Sequence, residues 1–277
     1  MNPILLAVLS VAAIGAVCAV LLVAASKLMY VRVDERVAQI RDTLPGANCG
    51  ACGFTGCDGY SKALADGDAE TNLCVPGGDA VSREISGILG VGYKDVLEMV
   101  AAVRCGGAPD VRGDKMEYDG ITTCAAAKMY YGGAASCQYG CIGYGDCAAQ
   151  CPTGAICIED GIARVNLKLC AGCGMCARVC PNNLIWIHDD TITTLMICSS
   201  HDKGADTRRK CSAGCIACRK CEHECPVGAI SMDNNLAVID YSVCIGCGRC
   251  AEVCTTKCMK IALFTNKARI DATKAAK

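Results

Sequence analysis

Residues 170–181 read Cys170-Ala-Gly-Cys173-Gly-Met-Cys176-Ala-Arg-Val-Cys180-Pro181. Gaps of two, two and three residues closed by proline place three thiolates around one iron–sulfur cube and send the fourth toward a neighbouring one. The run recurs as Cys215-Ile-Ala-Cys218-Arg-Lys-Cys221-Glu-His-Glu-Cys225-Pro226 and as Cys244-Ile-Gly-Cys247-Gly-Arg-Cys250-Ala-Glu-Val-Cys254. Sliding the chain by 74 residues sets Cys137, Cys141, Cys147 and Cys151 on Cys211, Cys215, Cys221 and Cys225, and Cys170, Cys173, Cys176 and Cys180 on Cys244, Cys247, Cys250 and Cys254. The Gly-Ala-Ile that follows each Cys-Pro pair, after Cys151 and after Cys225, aligns as well. A repeat of that length marks a duplicated unit.

Each unit is therefore expected to be a ferredoxin-like module with two 4Fe–4S clusters. Apolar stretches such as Ala155-Ile-Cys-Ile158 and Ala237-Val-Ile-Asp240 predict short strands between the cysteine runs. The crossing of the fourth cysteine assigns ligands: Cys170, Cys173 and Cys176 with Cys151, then Cys215, Cys218 and Cys221 with Cys254, and Cys244, Cys247 and Cys250 with Cys225. The first copy has a defect, because Tyr144 stands where Cys218 stands in the second. Cys137, or an equivalent thiol, is the expected substitute beside Cys141, Cys147 and Cys180. Cys254 precedes Thr255 rather than proline, and Cys258 lies four residues on, so this last ligand departs from the run.

Upstream, Cys49-Gly-Ala-Cys52-Gly-Phe-Thr-Gly-Cys57 and Cys74 supply four more thiols, the complement of one cube, with a short helix expected over Gly59–Asp66 to return Cys74. Zinc also accepts four thiolates and is the competing reading for these residues. Val81, Ile85, Ile88, Leu89, Val96, Leu97 and Val100 read as helical packing surface over Asp79–Val103. Five clusters account for twenty cysteines. Of the remainder, Cys105, Cys124, Cys198 and Cys211 are candidates for a sixth cluster, against the alternative of buried apolar thiols.

Composition agrees. The chain has 277 residues with 27 cysteines but only 3 histidines and 2 phenylalanines, so ligand thiols rather than aromatics must organise the interior. Thiolate ligands imply a reducing compartment, and cysteines bunched at ligand spacing argue against a disulfide scaffold. A formal net charge of -1 gives no basic field for nucleic acid. Gly90-Val-Gly92-Tyr-Lys-Asp95 lacks the third glycine of a dinucleotide fingerprint, and His188, His201 and His223 are isolated, which suits surface or packing roles. A substrate-converting site of its own is not expected.

Residues Met1–Ser26 carry no charged side chain, and Ile4–Ala25 is built from Leu, Ile, Val and Ala with only Ser10, Gly15 and Cys18 interrupting. As a helix this run reaches roughly 33 Å, against a ~30 Å hydrocarbon core. Lys27, Arg32 and Arg36 follow it, which places the bulk on the cytoplasmic side of a single-pass inner-membrane anchor. A cleaved signal peptide is the competitor, weakened by the absence of a basic segment ahead of the apolar run. The expected class is α+β: an anchor over 1–26, a helical four-cysteine module over 27–78, and a helical connecting region over 79–132. Ferredoxin-like modules follow over 133–187 and 210–265, joined by a linker over 188–209, with a tail over 266–277.

This order of features resembles the B-subunit family of Rnf ion-translocating oxidoreductase complexes, in its longer form with two ferredoxin-like modules. The resemblance rests on Cys49–Cys57, on Cys137-Gln-Tyr-Gly-Cys141-Ile-Gly-Tyr-Gly-Asp-Cys147 and on Cys198-Ser-Ser-His-Asp-Lys-Gly204. It implies an electron-carrying subunit of a membrane translocase that passes electrons between reduced ferredoxin and NAD and couples them to Na⁺ or H⁺ movement. It further implies soluble ferredoxin as donor, with the other subunits of the complex and membrane lipid as partners. The residues leave open a different class, a stand-alone membrane-anchored polyferredoxin.

Overall fold

The computed structural model describes residues 3–28 and 34–261; within the first helix, side chains are described at 9 and 11–27. Arg32 and the expected tail 266–277 lie outside the described residues. Helix α1 covers Pro3–Leu28, and every described side chain in it is exposed, Val11, Ile14, Val17 and Leu21 among them. Among the described residues no helix is long and apolar enough to cross a membrane, so the structure does not show the anchor expected over 1–26.

The four-cysteine module is helical, as expected. Helices α2 (Glu35–Thr43), α3 (Cys57–Asp66) and α4 (Gly78–Leu89) bury Ile40, Leu44, Tyr60, Leu64 and Ile85 together with Cys74. Tyr60 organises the return of the chain to Cys74: its hydroxyl donates to the Glu70 carbonyl at 2.7 Å and accepts from the Leu73 N–H at 3.3 Å. Burial keeps this phenol protonated, pushing its pKa above the usual range.

The helix expected from Asp79 to Val103 stops at α4. Gly90 takes the left-handed conformation that closes a helix, and Met99–Val103 forms strand β1 instead. A short apolar run is compatible with either state until a partner decides it. Here the partner is β4 (Ile185–Asp189), antiparallel with Met99 opposite Asp189 and Val103 opposite Ile185. The strand that precedes the first ferredoxin-like module thus closes onto the strand that follows it.

Between them come α5 (Cys124–Met129), α6 (Asp146–Ala149), the hairpin β2 (Ile156–Glu159) with β3 (Ile162–Val165), and α7 (Met175–Val179). The second module repeats the plan. Strand β5 (Thr194–Met196) precedes α8 (Gly204–Lys210), α9 (Lys220–His223), the hairpin β6 (Ile230–Asp233) with β7 (Leu236–Ile239), α10 (Arg249–Glu252), and β8 (Met259–Ile261) paired to β5. The 74-residue offset maps α6, β2, β3, α7 and β4 onto α9, β6, β7, α10 and β8. The residues read as a linker over 188–209 therefore hold β5 and most of a helix that belong to the second module.

Val100, Ala102, Ile192 and Leu195 form a small core where the modules meet, with Trp186 stacked 4.9 Å from Tyr241. Close approach also fixes one glycine. Gly172, in the left-handed region at φ 61°, lies so near the Met99 carbonyl that an added Cβ would strike it. Gly172→Ala should cost about 1–3 kcal/mol of stability, read as a lower guanidinium midpoint for loss of cluster absorbance. Gly87→Ala, in α4 with nothing within 4 Å of its added Cβ, should instead be neutral or stabilising by up to about 1 kcal/mol.

Candidate metal centres

The described cysteines gather into five groups of four and one of three, numbered as centres I to VI. Centre I is Cys49, Cys52, Cys57 and Cys74; burial pushes the Cys74 thiol up to about 11, with the other three beside it. Centre II is Cys170, Cys173 and Cys176 with Cys151, and burial likewise holds Cys176 at about 11. Centre V is Cys215, Cys218, Cys221 and Cys254, bordering a hollow of about 340 Å³ that Cys258 also touches. Centre VI is Cys244, Cys247 and Cys250, and the crossing rule would bring Cys225 to it as the fourth. Cys225 accepts from the Ala229 N–H at 3.3 Å, as its counterpart Cys151 accepts from Ala155 at 3.2 Å.

Centre III corrects the expected grouping. Cys141, Cys147 and Cys180 border a hollow of about 390 Å³, and the fourth thiol on it is Cys124, not Cys137. Burial pushes Cys147 up to about 12, with Cys141, Cys124 and Cys180 as its thiol neighbours. The physical reason lies in Asp146, whose carboxylate accepts from the backbone N–H groups of Cys124 at 2.9 Å and Ala125 at 3.1 Å. Thr123 adds a further N-terminal bond, to the Ala126 N–H at 3.2 Å. These bonds satisfy the free amides at the start of α5 and hold Cys124 over the place that Tyr144 leaves without a thiol.

Cys137 belongs instead to centre IV, with Cys105, Cys198 and Cys211 around a hollow of about 450 Å³. Two of these thiols come from the first module and two from the second. The arrangement is internally symmetric: Cys105 accepts from the Cys141 N–H at 3.3 Å, and Cys198 accepts from the Cys215 N–H at 3.3 Å. At Gly107 an added Cβ would stand 3.1 Å from the Cys211 sulfur and 3.9 Å from that of Cys105, so glycine keeps the cradle open.

The donor sets fit cubes. Every group is made of thiols alone, the ligands that 4Fe–4S cubes take. The thiols border hollows rather than meeting at a point. Burial raises Cys137, Cys141, Cys173, Cys211 and Cys250 as well, so near neutral pH iron must displace protons to bind. The histidines take packing roles: His188 is buried against Trp186, and His201 lies edge-on to Tyr139.

Comparison with known proteins finds iron–sulfur domains over part of the chain. The FeS family model, for an Fe-S cluster domain, matches residues 44–76, and the 4Fe-4S dicluster domain model matches residues 169–229 and 214–258. The B subunit of the ion-translocating oxidoreductase complex of Methanosarcina acetivorans is 40% identical, over 90% of this chain and 95% of its own length. The chain belongs to the B-subunit family of ion-translocating oxidoreductase complexes. The Clostridium ljungdahlii relative, the B subunit of a proton-translocating ferredoxin:NAD(+) oxidoreductase complex, is 35% identical over 93% of this chain and 91% of its own. Its Acetobacterium woodii counterpart, of a Na(+)-translocating complex, is 36% identical over 94% and 78%.

For a chain of this family the regrouping has a direct check in iron content. Cys124→Ala/Cys147→Ala should lose about four irons, no more than either single variant, because both thiols serve one cube. Cys137→Ala/Cys147→Ala should lose about eight. Asp146→Ala should weaken α5 by about 1 kcal/mol and selectively labilise centre III, seen as earlier loss of about four irons under mild chelation.

Proposed function

We propose that this subunit relays electrons through six 4Fe–4S clusters arranged as one unbroken series, from a soluble ferredoxin to the other subunits of a membrane complex that reduces NAD and moves H⁺ or Na⁺. The observation that carries it is contiguity. The Arg178 guanidinium, on the helix that bears Cys176, donates to the Cys49 carbonyl, and Cys49 stands beside Cys173, which joins centre I to centre II. Cys151 and Cys180, just past helices α6 and α7, cross between centres II and III and interlock them. The amide of Cys141 bonds Cys105, and the amide of Cys215 bonds Cys198, so centre IV touches III on one side and V on the other. Centre VI follows V through the crossing of Cys225 and Cys254.

Each cube supplies a site that takes up one electron and gives it on; the chain's part is to hold the sites close, dry and in order. Centre IV is the single bridge between modules in this reading, which makes Cys105, Cys137, Cys198 and Cys211 ligands rather than inert thiols.

Helix α1 is proposed as a single-pass membrane anchor with the clusters on the cytoplasmic side. The support is the sequence: the uncharged run Ile4–Ala25 would reach roughly 33 Å as a helix, against a ~30 Å hydrocarbon core. The exposed faces of Val11, Val17, Val20 and Leu22 suit lipid, and Lys27 and Arg36 follow on the side expected to face the cytoplasm.

Full-length protein isolated anaerobically should hold about 24 irons, four for each cube; a value near 20 would remove centre IV. Cys176→Ala should abolish ferredoxin-dependent NAD reduction by the complex while the chain stays in the membrane fraction. Unchanged turnover would overturn the relay, and isolation of a stable single chain with no co-purifying flavin or membrane subunits would favour a stand-alone polyferredoxin.

A further inference from the structure

The second module holds one thiol more than centres IV, V and VI use. Cys258, 3% exposed, occupies the place that Leu184, 2% exposed, fills in the first module. The backbone settings agree: the Ile197 N–H donates to the Cys258 carbonyl at 2.8 Å, as the Arg104 N–H donates to the Leu184 carbonyl at 2.7 Å. The side chains do not. Cys258 Sγ lies 3.5 Å from Cys254 Sγ, is also hydrogen-bonded to Cys215, and borders the hollow of centre V. At Leu184 only the backbone N–H reaches a ligand sulfur, donating to Cys180 Sγ at 3.4 Å, and the side chain has no donor to add.

We infer that Cys258 is not a ligand but a proton-bearing thiol whose S–H hydrogen-bonds the ligand sulfurs of centre V, raising that centre's reduction potential above that of its counterpart, centre III. The inference rests on the reading of these two centres as cube sites. An iron-bound thiolate has no proton to give, so between Cys254 and Cys258 the donor must be Cys258. Thr256 Oγ1 donates to the Cys258 sulfur at 3.4 Å, which leaves the S–H of Cys258 for the ligand side. Both thiols within its reach, Cys254 and Cys215, serve the same cube. Reduction adds negative charge to the cube and its thiolates, so a donor aimed at those sulfurs gains most in the reduced state; hydrogen bonding to the sulfurs is one of the levers that set cluster potentials. The site is buried, so water does not replace the bond. Two modules of one ancestry would otherwise hold near-equal potentials, and this one substitution sets a step between them.

The test is an electron-paramagnetic-resonance redox titration of the anaerobic full-length chain with iron assays in parallel. Cys258→Leu, which copies the first module, should keep wild-type iron and lower one centre's midpoint. At fixed potential its reduced-to-oxidised ratio should fall several-fold, where tenfold corresponds to about 59 mV for one electron. Leu184→Cys should raise the midpoint of a different centre. Cys258→Ser, which keeps a donor and a small side chain, should retain part of the effect and serves if the leucine variant fails to fold. Loss of about four irons in Cys258→Leu with the fold intact would make Cys258 a ligand and overturn the inference, as would unchanged midpoints at full iron. If Cys221→Ala loses no iron, centre V itself is misread and the inference falls with it.

Discussion

A cube needs four thiolates delivered from different directions to one dry hollow, and the architecture of this protein follows from that demand. After the short helix of each Cys-x2-Cys-x2-Cys-x3-Cys run the chain passes to the neighbouring centre, and the last thiol goes with it. That exchange ties the two halves of each module together more directly than their cores do. Strands of three to five residues and helices of four to seven are sufficient because burial is organised around sulfur: cysteines fill much of both module cores, alongside Ile162, Leu184, Leu236 and Ile239. The near absence of phenylalanine has the same origin.

Duplication explains the overall plan, and local departures from it explain the individual centres. Tyr144 stands where the second copy has the Cys218 thiol, and the first copy brings a fourth thiol, Cys124, to the same hollow through Asp146. The second copy has Lys220 at the position of Asp146 and has no need of that recruitment. Cys105 and Cys198 occupy equivalent places at the ends of β1 and β5, and Cys137 and Cys211 are equivalent by the repeat. Four thiols related in pairs therefore face one another across the contact between modules, where a duplicated chain creates a centre that neither half could hold alone.

The cysteine runs were legible because their ligands are local: spacing along one turn of chain dictates which sulfurs share a corner. The strands expected near Ala155–Ile158 and Ala237–Asp240 and the helix expected over Gly59–Asp66 were legible too, because their patterns are local. Cys124 was not, because its partners lie 17 to 56 residues away and its position depends on Asp146 capping α5, a tertiary contact with no spacing rule. The 74-residue offset does set Cys124 on Cys198, but that match misleads, since the place of Cys198 in the first module is filled by Cys105. Met99–Val103 misled for a related reason: a short apolar run takes its conformation from the partner it finds, and β4 is supplied 82 or more residues downstream.

Electron continuity between the modules depends on the proposed bridging centre. An iron-edge anomalous difference map of the anaerobically purified protein, in its complex or as the full chain, locates iron without reference to activity. Six separate iron maxima are predicted, one of them enclosed by Cys105, Cys137, Cys198 and Cys211 and flanked by the maxima at Cys141 and Cys215. Five maxima with none between the modules would contradict the relay as a single unbroken series.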